Sequence, residues 1–220
     1  MEYKGVSIEW VKHDCFRVKG RMATIYTDPY KIKNEYGDAD LVLVTHDHYD
    51  HLDAESIKKV IKQDGVIVAP SDCREKLSQF NNKKVYMKPF ELKVEKDVTI
   101  KSVPSYNINK FREGKTVFHP KDKGNIGYVF IVDGVSFYIA GDTDFIDEMR
   151  SIKANIAMLP VSGIYVMTPS EAAEAALMIK ADITIPAHYG SGIGTRKEAE
   201  EFTRLLKDKI KTNILEPLET

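Results

Sequence analysis

A chain of 220 residues is long enough to bury one sizeable core and is expected to form one domain spanning 1–220. Its 43% hydrophobic and 30% charged residues exclude the composition of a disordered protein. With 32 basic residues almost cancelled by 33 acidic ones, a formal net charge of -1 gives no global field that would favour nucleic acid as a partner.

Strands are predicted first, at Val6 to Val11, Cys15 to Val18 and Ala23 to Thr27, with a polar turn at Lys19-Gly20-Arg21. Leu41 to Val44 is a continuous apolar run, as expected of a strand buried on both faces. Asp53 can cap a helix running to about Lys62, Val66 to Ala69 is again a strand, and Ser71 opens a second helix. From Val85 to Val103 the pattern is β. Residues 104 to 126 have no clear period and read as a long loop containing Lys110, Arg112, Lys115, Lys121 and Lys123.

Tyr128 to Val132 and Phe137 to Ala140 flank Asp133-Gly134, a strong hairpin signal. A further strand is read at Ile183 to Pro186. Helices start at Thr168-Pro169-Ser170-Glu171 and at Thr195-Arg196-Lys197-Glu198, both of which fit a capping box. Strands followed by helices in each half imply two sheets packed face to face with helices outside. Only Cys15 and Cys73 are present, the N-terminus lacks the apolar stretch of a signal peptide, and no apolar run approaches roughly 20 residues. A cytoplasmic protein without a membrane span is expected.

The chemistry concentrates in Thr45-His46-Asp47-His48-Tyr49-Asp50-His51, which follows the buried strand directly and holds three of the six histidines in the chain. Imidazole nitrogens and carboxylate oxygens are what zinc or manganese take as ligands, and packing supplies no reason for such a cluster. A solvated polar loop is the bland alternative.

These residues resemble the signature of the metallo-beta-lactamase superfamily, histidine-any-histidine-any-aspartate-histidine, matched by His46, His48, Asp50 and His51. Thr27-Asp28-Pro29-Tyr30 is similar to the family's first motif, Ala140-Gly141-Asp142-Thr143 to its bridging aspartate, and Ile185-Pro186-Ala187-His188-Tyr189 to its last histidine. Within the superfamily, His46 to Asp53, Gly141-Asp142-Thr143-Asp144 and Leu159-Pro160-Val161-Ser162-Gly163 resemble small hydrolases related to ascorbate-6-phosphate lactonase and N-acyl-phosphatidylethanolamine phospholipase D. The resemblance implies an α/β fold, a four-layer αββα sandwich, with the metals where these loops converge at the sheet edge.

It also implies two divalent ions, zinc in the first instance and manganese as the alternative. The implied ligands are His46, His48, Asp50, His51, Asp142 and His188, with Asp50 and Asp142 as the catalytic carboxylates. A third histidine for the first ion would stand near Ser105 or Asn107, and none does. His119 in the following loop is the candidate replacement; otherwise it packs or lines the pocket. Asp28 is expected to accept a hydrogen bond from a ligating imidazole. His13 resembles the family's early glycine-histidine pair with Lys12 in place of the glycine, and is not counted as a ligand.

Two such ions can share one water, present it as hydroxide near neutral pH and polarise the group under attack. Esters, lactones and phosphodiesters of small molecules are then accessible, and the basic 104 to 126 segment points to an anionic group on the substrate. Two other classes compete. Diiron flavoproteins share the fold but place glutamate where His48 stands, and a non-catalytic metal-binding or ligand-sensing module would need no turnover.

Overall fold

The computed structural model describes residues 1–219. The first half forms a sheet whose strands lie in chain order: β1 (Glu2–Tyr3), β2 (Val6–Lys12), β3 (Cys15–Lys19), β4 (Thr24–Thr27), β5 (Ala39–Leu43), β6 (Ile61–Pro70) and β7 (Lys83–Met87). The chain then crosses to a second sheet through β8 (Leu92–Glu95) and β9 (Val98–Pro104). It makes a small hairpin of β10 (Phe111–Arg112) and β11 (Thr116–Val117), then returns with β12 (Ile126–Val132), β13 (Val135–Ile139), β14 (Ile156–Pro160), β15 (Ile183–Ala187) and β16 (Lys211–Thr212). The second sheet has the order β16-β15-β14-β13-β12-β9-β8.

Both sheets follow one plan, an antiparallel half joined to a parallel half. Parallel strands need both faces covered, so helices must fill the crossovers. These are α1 (Ala54–Val60) and α2 (Arg74–Leu77) in the first half, and α3 (Pro169–Ile179) and α4 (Arg196–Leu206) in the second.

Alternation along the strands assigns the layers. Ile25, Leu41, Leu43, Val66 and Val68 join a core with Tyr128 and Phe130 of the second sheet. Tyr26, Val42, Val44, Ile67 and Ala69 point the other way, packing on Ile57 and Val60 of α1 and Leu77 of α2. On the far side, α3 buries the small residues Ala172, Ala173, Ala175 and Ala176, which let it lie close on the sheet, and α4 buries Ala199, Phe202 and Leu206. The result is the expected four-layer αββα sandwich. Both expected capping boxes are formed, Thr168 with Glu171 and Thr195 with Glu198.

Several boundaries differ from expectation. The first helix stops at Val60 rather than near Lys62, because the β-branched Ile61 already belongs to β6. The helix expected from Ser71 is a 3-10 turn, Ser71–Cys73, followed by a single α-turn. The β stretch from Val85 to Val103 is divided between the two sheets, and the expected structureless loop contains the β10–β11 hairpin. No described helix is long and apolar enough to cross a membrane.

One side chain ties the sheets together beneath the histidine loop. The Tyr128 hydroxyl, fully buried on β12, donates to the Val44 carbonyl of the opposite sheet at 2.7 Å. Tyr128→Phe should therefore cost about 1 to 3 kcal/mol, because it strands a buried acceptor without changing the packing volume. The denaturant midpoint should fall at an unchanged slope; an unmoved midpoint would show that this bond contributes nothing.

Candidate metal centre

Strand β5 delivers the histidine loop. Its ladder runs on through Val44, whose N–H donates to Val68 O at 2.8 Å, and the chain then leaves the sheet. The N–H groups of His51 and Leu52 both turn back onto the His48 carbonyl, at 3.1 and 2.8 Å, which divides the loop between two directions. His46 and His48 meet His119 and Asp142, while His51 meets His13, Asp14 and His188. Within each group the potential donor atoms lie within 4.8 Å of one another.

Asp142 stands between the groups. Its Oδ2 is 3.4 Å from His119 Nε2 and 3.9 Å from His46 Nε2, and its Oδ1 is 3.2 Å from both His51 Nε2 and His188 Nε2. Asp50 joins the second group, with Oδ2 3.4 Å from His13 Nε2 and 4.0 Å from His51 Nε2. Gly141 makes this placement feasible. Its φ is +64°, and a Cβ there would lie 2.9 Å from Thr45 Cβ.

Each Nε2-inward imidazole is held by its other nitrogen. His51 Nδ1 donates to Asp28 Oδ2 at 2.7 Å, the arrangement expected for Asp28. Thr45 Oγ1 donates to the same oxygen at 2.7 Å, which leaves it to accept from His46 Nδ1 at 3.0 Å. His188 Nδ1 donates to Ser162 Oγ at 3.0 Å, and His119 Nδ1 to Asn107 Oδ1 at 2.8 Å. Such partners fix tautomer and ring angle, so the Nε2 lone pairs face inward.

This creates an electrostatic demand. The Nε2 atoms of His46, His51 and His188, both nitrogens of His13, and Asp142 Oδ1 are all buried without a hydrogen-bond partner. An acceptor left unpaired in the interior costs about 1 to 3 kcal/mol, and these acceptors face one another. A cation among them satisfies the inward-facing lone pairs and the carboxylate together, so these groups fit divalent metal.

For three of these imidazoles the titration behaviour points the same way. Burial holds His46 well below the usual histidine range and depresses His119 and His13 to about 4, keeping them in the neutral, metal-binding form. Burial would lower His51 and His188 too, but Asp142 overrides it and raises both. For Asp142 itself, burial is outweighed by His188 and His51, which hold the carboxyl well below its ordinary value. Asp50 is likewise held down, to about 2, by His13 and His51 against the effect of burial, whereas burial pushes Asp14 up to about 7.

The structure thus brings together the seven residues expected as ligands: His46, His48, Asp50, His51, His119, Asp142 and His188. It adds His13, which is buried beside the second group, with its carbonyl accepting from the His188 N–H at 3.2 Å and Trp10 Nε1 at 2.9 Å. His13, Asp28 and His188 all have positive φ, at 57°, 35° and 57°, left-handed backbone imposed on residues that ordinarily avoid it. Where the third histidine is missing, Ser105 Oγ donates to Asp142 O at 2.8 Å and Asn107 aims His119. Neither role has a sequence signal of its own.

The groups open onto a cavity of about 340 Å3 whose further walls are Tyr49, Arg112, Phe118, Tyr165 and Ile193. Two of the lysines expected to face an anion are engaged elsewhere: Lys110 with Glu171 at 2.8 Å and Asp144 at 3.3 Å, and Lys121 with Glu148 at 2.8 Å. Asn107→Ala should release the His119 ring. Imidazole 1H–15N spectra of the metal-free variant should show His119 departing from a single Nδ1–H tautomer, and its zinc affinity should fall about 10- to 100-fold. An unaltered His119 pattern would remove Asn107 from this role.

Comparison with known proteins agrees with the geometry. The family model described as a beta-lactamase superfamily domain matches residues 7–188. A metal-dependent hydrolase of Thermococcus kodakarensis is 30% identical over 96% of this chain and 97% of its own length. Another, from Thermococcus onnurineus, is 31% identical, also over 96% of this chain and 97% of its own length. The crystal structure of a chain from Parabacteroides distasonis, described as a metal-dependent hydrolase, superposes with a TM-score of 0.80 at 33% identity, covering 96% of this chain and 93% of that one. The chain belongs to the metallo-beta-lactamase superfamily and is one of its metal-dependent hydrolases.

Proposed function

We propose that residues 1–220 form one hydrolase domain that holds two divalent ions, zinc in the first instance and manganese as the alternative. His46, His48 and His119 would hold one and Asp50, His51 and His188 the other, with Asp142 shared between them and His13 beside the second. The observation that carries this reading is the Asp142 carboxylate, whose two oxygens face two separate histidine groups.

Ions bound there would supply an acidified water and a Lewis acid for the substrate oxygen. The chain's own residues do the rest. Asp142 balances the positive charge and sets the two groups in register. Asp50, ionised and lining the cavity, orients the attacking water by accepting a hydrogen bond from it. Thr45, Asp28, Asn107 and Ser162 keep the imidazoles aimed, so little reorganisation accompanies the reaction. Esters, lactones and phosphodiesters of small molecules fit this chemistry, and the motif resemblance to the lactonase and the phospholipase supports the same range. A cytoplasmic location accords with two buried free thiols, Cys15 and Cys73.

Elemental analysis of freshly purified protein should find about two ions per chain. His119→Ala should release about one while leaving the ion held with Asp50, His51 and His188. Unchanged stoichiometry in alanine variants of His46, His48 and His51 would overturn the metal assignment.

A screen of p-nitrophenyl esters, lactones and phosphodiesters then supplies a working substrate. On it, Asp142→Asn should lose more than the roughly 10- to 100-fold typical of groups that only support a ligand. Parental turnover by that variant would refute the shared role.

A further inference from the structure

Of the cations in the 104 to 126 segment, one has a different setting from the rest. Lys110 and Lys121 are paired with carboxylates, and Lys115 and Lys123 do not line the cavity that contains Asp142. Arg112 does line it, makes no ion pair among the described residues, and has its guanidinium carbon 5.3 Å from the centre of the Phe118 ring. Phe118 in turn meets Tyr165 edge-on, with centroids 4.5 Å apart.

The backbone ties this wall to the metal site. Asn107 N donates to His119 O at 2.8 Å, Phe118 N to Lys110 O at 3.0 Å, and Phe111 and Arg112 pair with Val117 and Thr116. One hairpin therefore presents His119 to Asp142 at its base and Arg112 above the cavity nearer its tip. Its base is pinned by the buried Asp144, which accepts from the N–H groups of Ile108 and Asn109 at 2.6 and 2.8 Å and from Asn107 Nδ2 at 3.1 Å.

A guanidinium that spends its face on an aromatic ring keeps its in-plane N–H groups free, and their fork matches the two oxygens of a carboxylate or phosphate. Beside it, Phe118, Tyr165 and Ile193 offer apolar and aromatic surface. We propose that Arg112 is the specificity-determining residue of this site, binding an anionic group on a substrate whose apolar body lies against Phe118, Tyr165 and Ile193. The proposal rests on the hydrolase reading only for where the scissile bond sits, at the His48 and Asp142 end of the same cavity.

Binding measured without turnover tests it. Zinc-loaded protein is titrated calorimetrically with 3-phenylpropionate, with its neutral amide 3-phenylpropionamide, and with acetate. The parent should bind 3-phenylpropionate at least about tenfold more tightly than the amide, the scale of a charge-assisted hydrogen bond, and more tightly than acetate, which has no body to rest on the wall. Arg112→Gln should abolish the preference for carboxylate over amide, and Arg112→Lys should restore it in part, with bound zinc unchanged in both.

If Arg112→Gln keeps the parental preference, the ions and not Arg112 hold the anion, and the proposal is overturned. Equal affinity of the parent for 3-phenylpropionate and acetate would overturn the apolar half. Because no arm uses catalysis, a protein that hydrolyses nothing in the substrate screen sinks the hydrolase reading without touching this one. An active hydrolase indifferent to the carboxylate does the reverse.

Discussion

The molecule is organised around a carboxylate that cannot stand alone. Asp142 is buried among imidazole nitrogens, with Oδ1 3.2 Å from two of them and Oδ2 turned toward two more. Such a site is tolerable only with positive charge in its midst. The two-sheet plan serves this one requirement: loops from β5 and β2 arrive from one sheet, those from β13 and β15 from the other, and Asp142 is where they meet.

Surrounding polar residues convert proximity into aim. Asp28 and Thr45 form a chain that orients His51 and His46, Ser162 orients His188, and Asp144 fixes the segment from which Asn107 orients His119. Gly141-Asp142-Thr143-Asp144 thus carries two acids with separate duties, the first facing the donor groups and the second pinning the hairpin base. His119 and Arg112 share that hairpin, so a displacement of one side chain from the cavity would carry the other with it.

What could be read from the sequence was what is local in the chain. Four of the expected ligands lie within His46 to His51, so their clustering announced a metal site and the resemblance to the family signature picked out the four, and both long helices announced themselves through Thr168-Glu171 and Thr195-Glu198. Asp28 was legible because it stands at a strand end, in a stretch that resembles the family's first motif. His13 was not, because Lys12 replaces the expected glycine and its burial depends on the β15 turn arriving from the other sheet. Likewise, nothing near Lys110 or Lys121 in sequence reveals their partners Glu171 and Glu148, which lie 61 and 27 residues away. The change of sheet between β7 and β8 was hidden for the same reason: alternation reports that a strand has an inner face, not which sheet it joins.

The left-handed backbone at His13, Asp28 and His188 has an evolutionary corollary. Positive φ at a non-glycine residue costs of order 1 to 3 kcal/mol, and two of these residues also bury unpartnered nitrogens. Other non-glycine residues share that backbone, Lys4, Lys96 and Asp133 among them, but at His13 and His188 it coincides with buried nitrogens that no protein group satisfies. A lineage of this protein selected for thermal endurance alone would gain by replacing His13 and His188, drifting toward a sturdier sandwich with no centre.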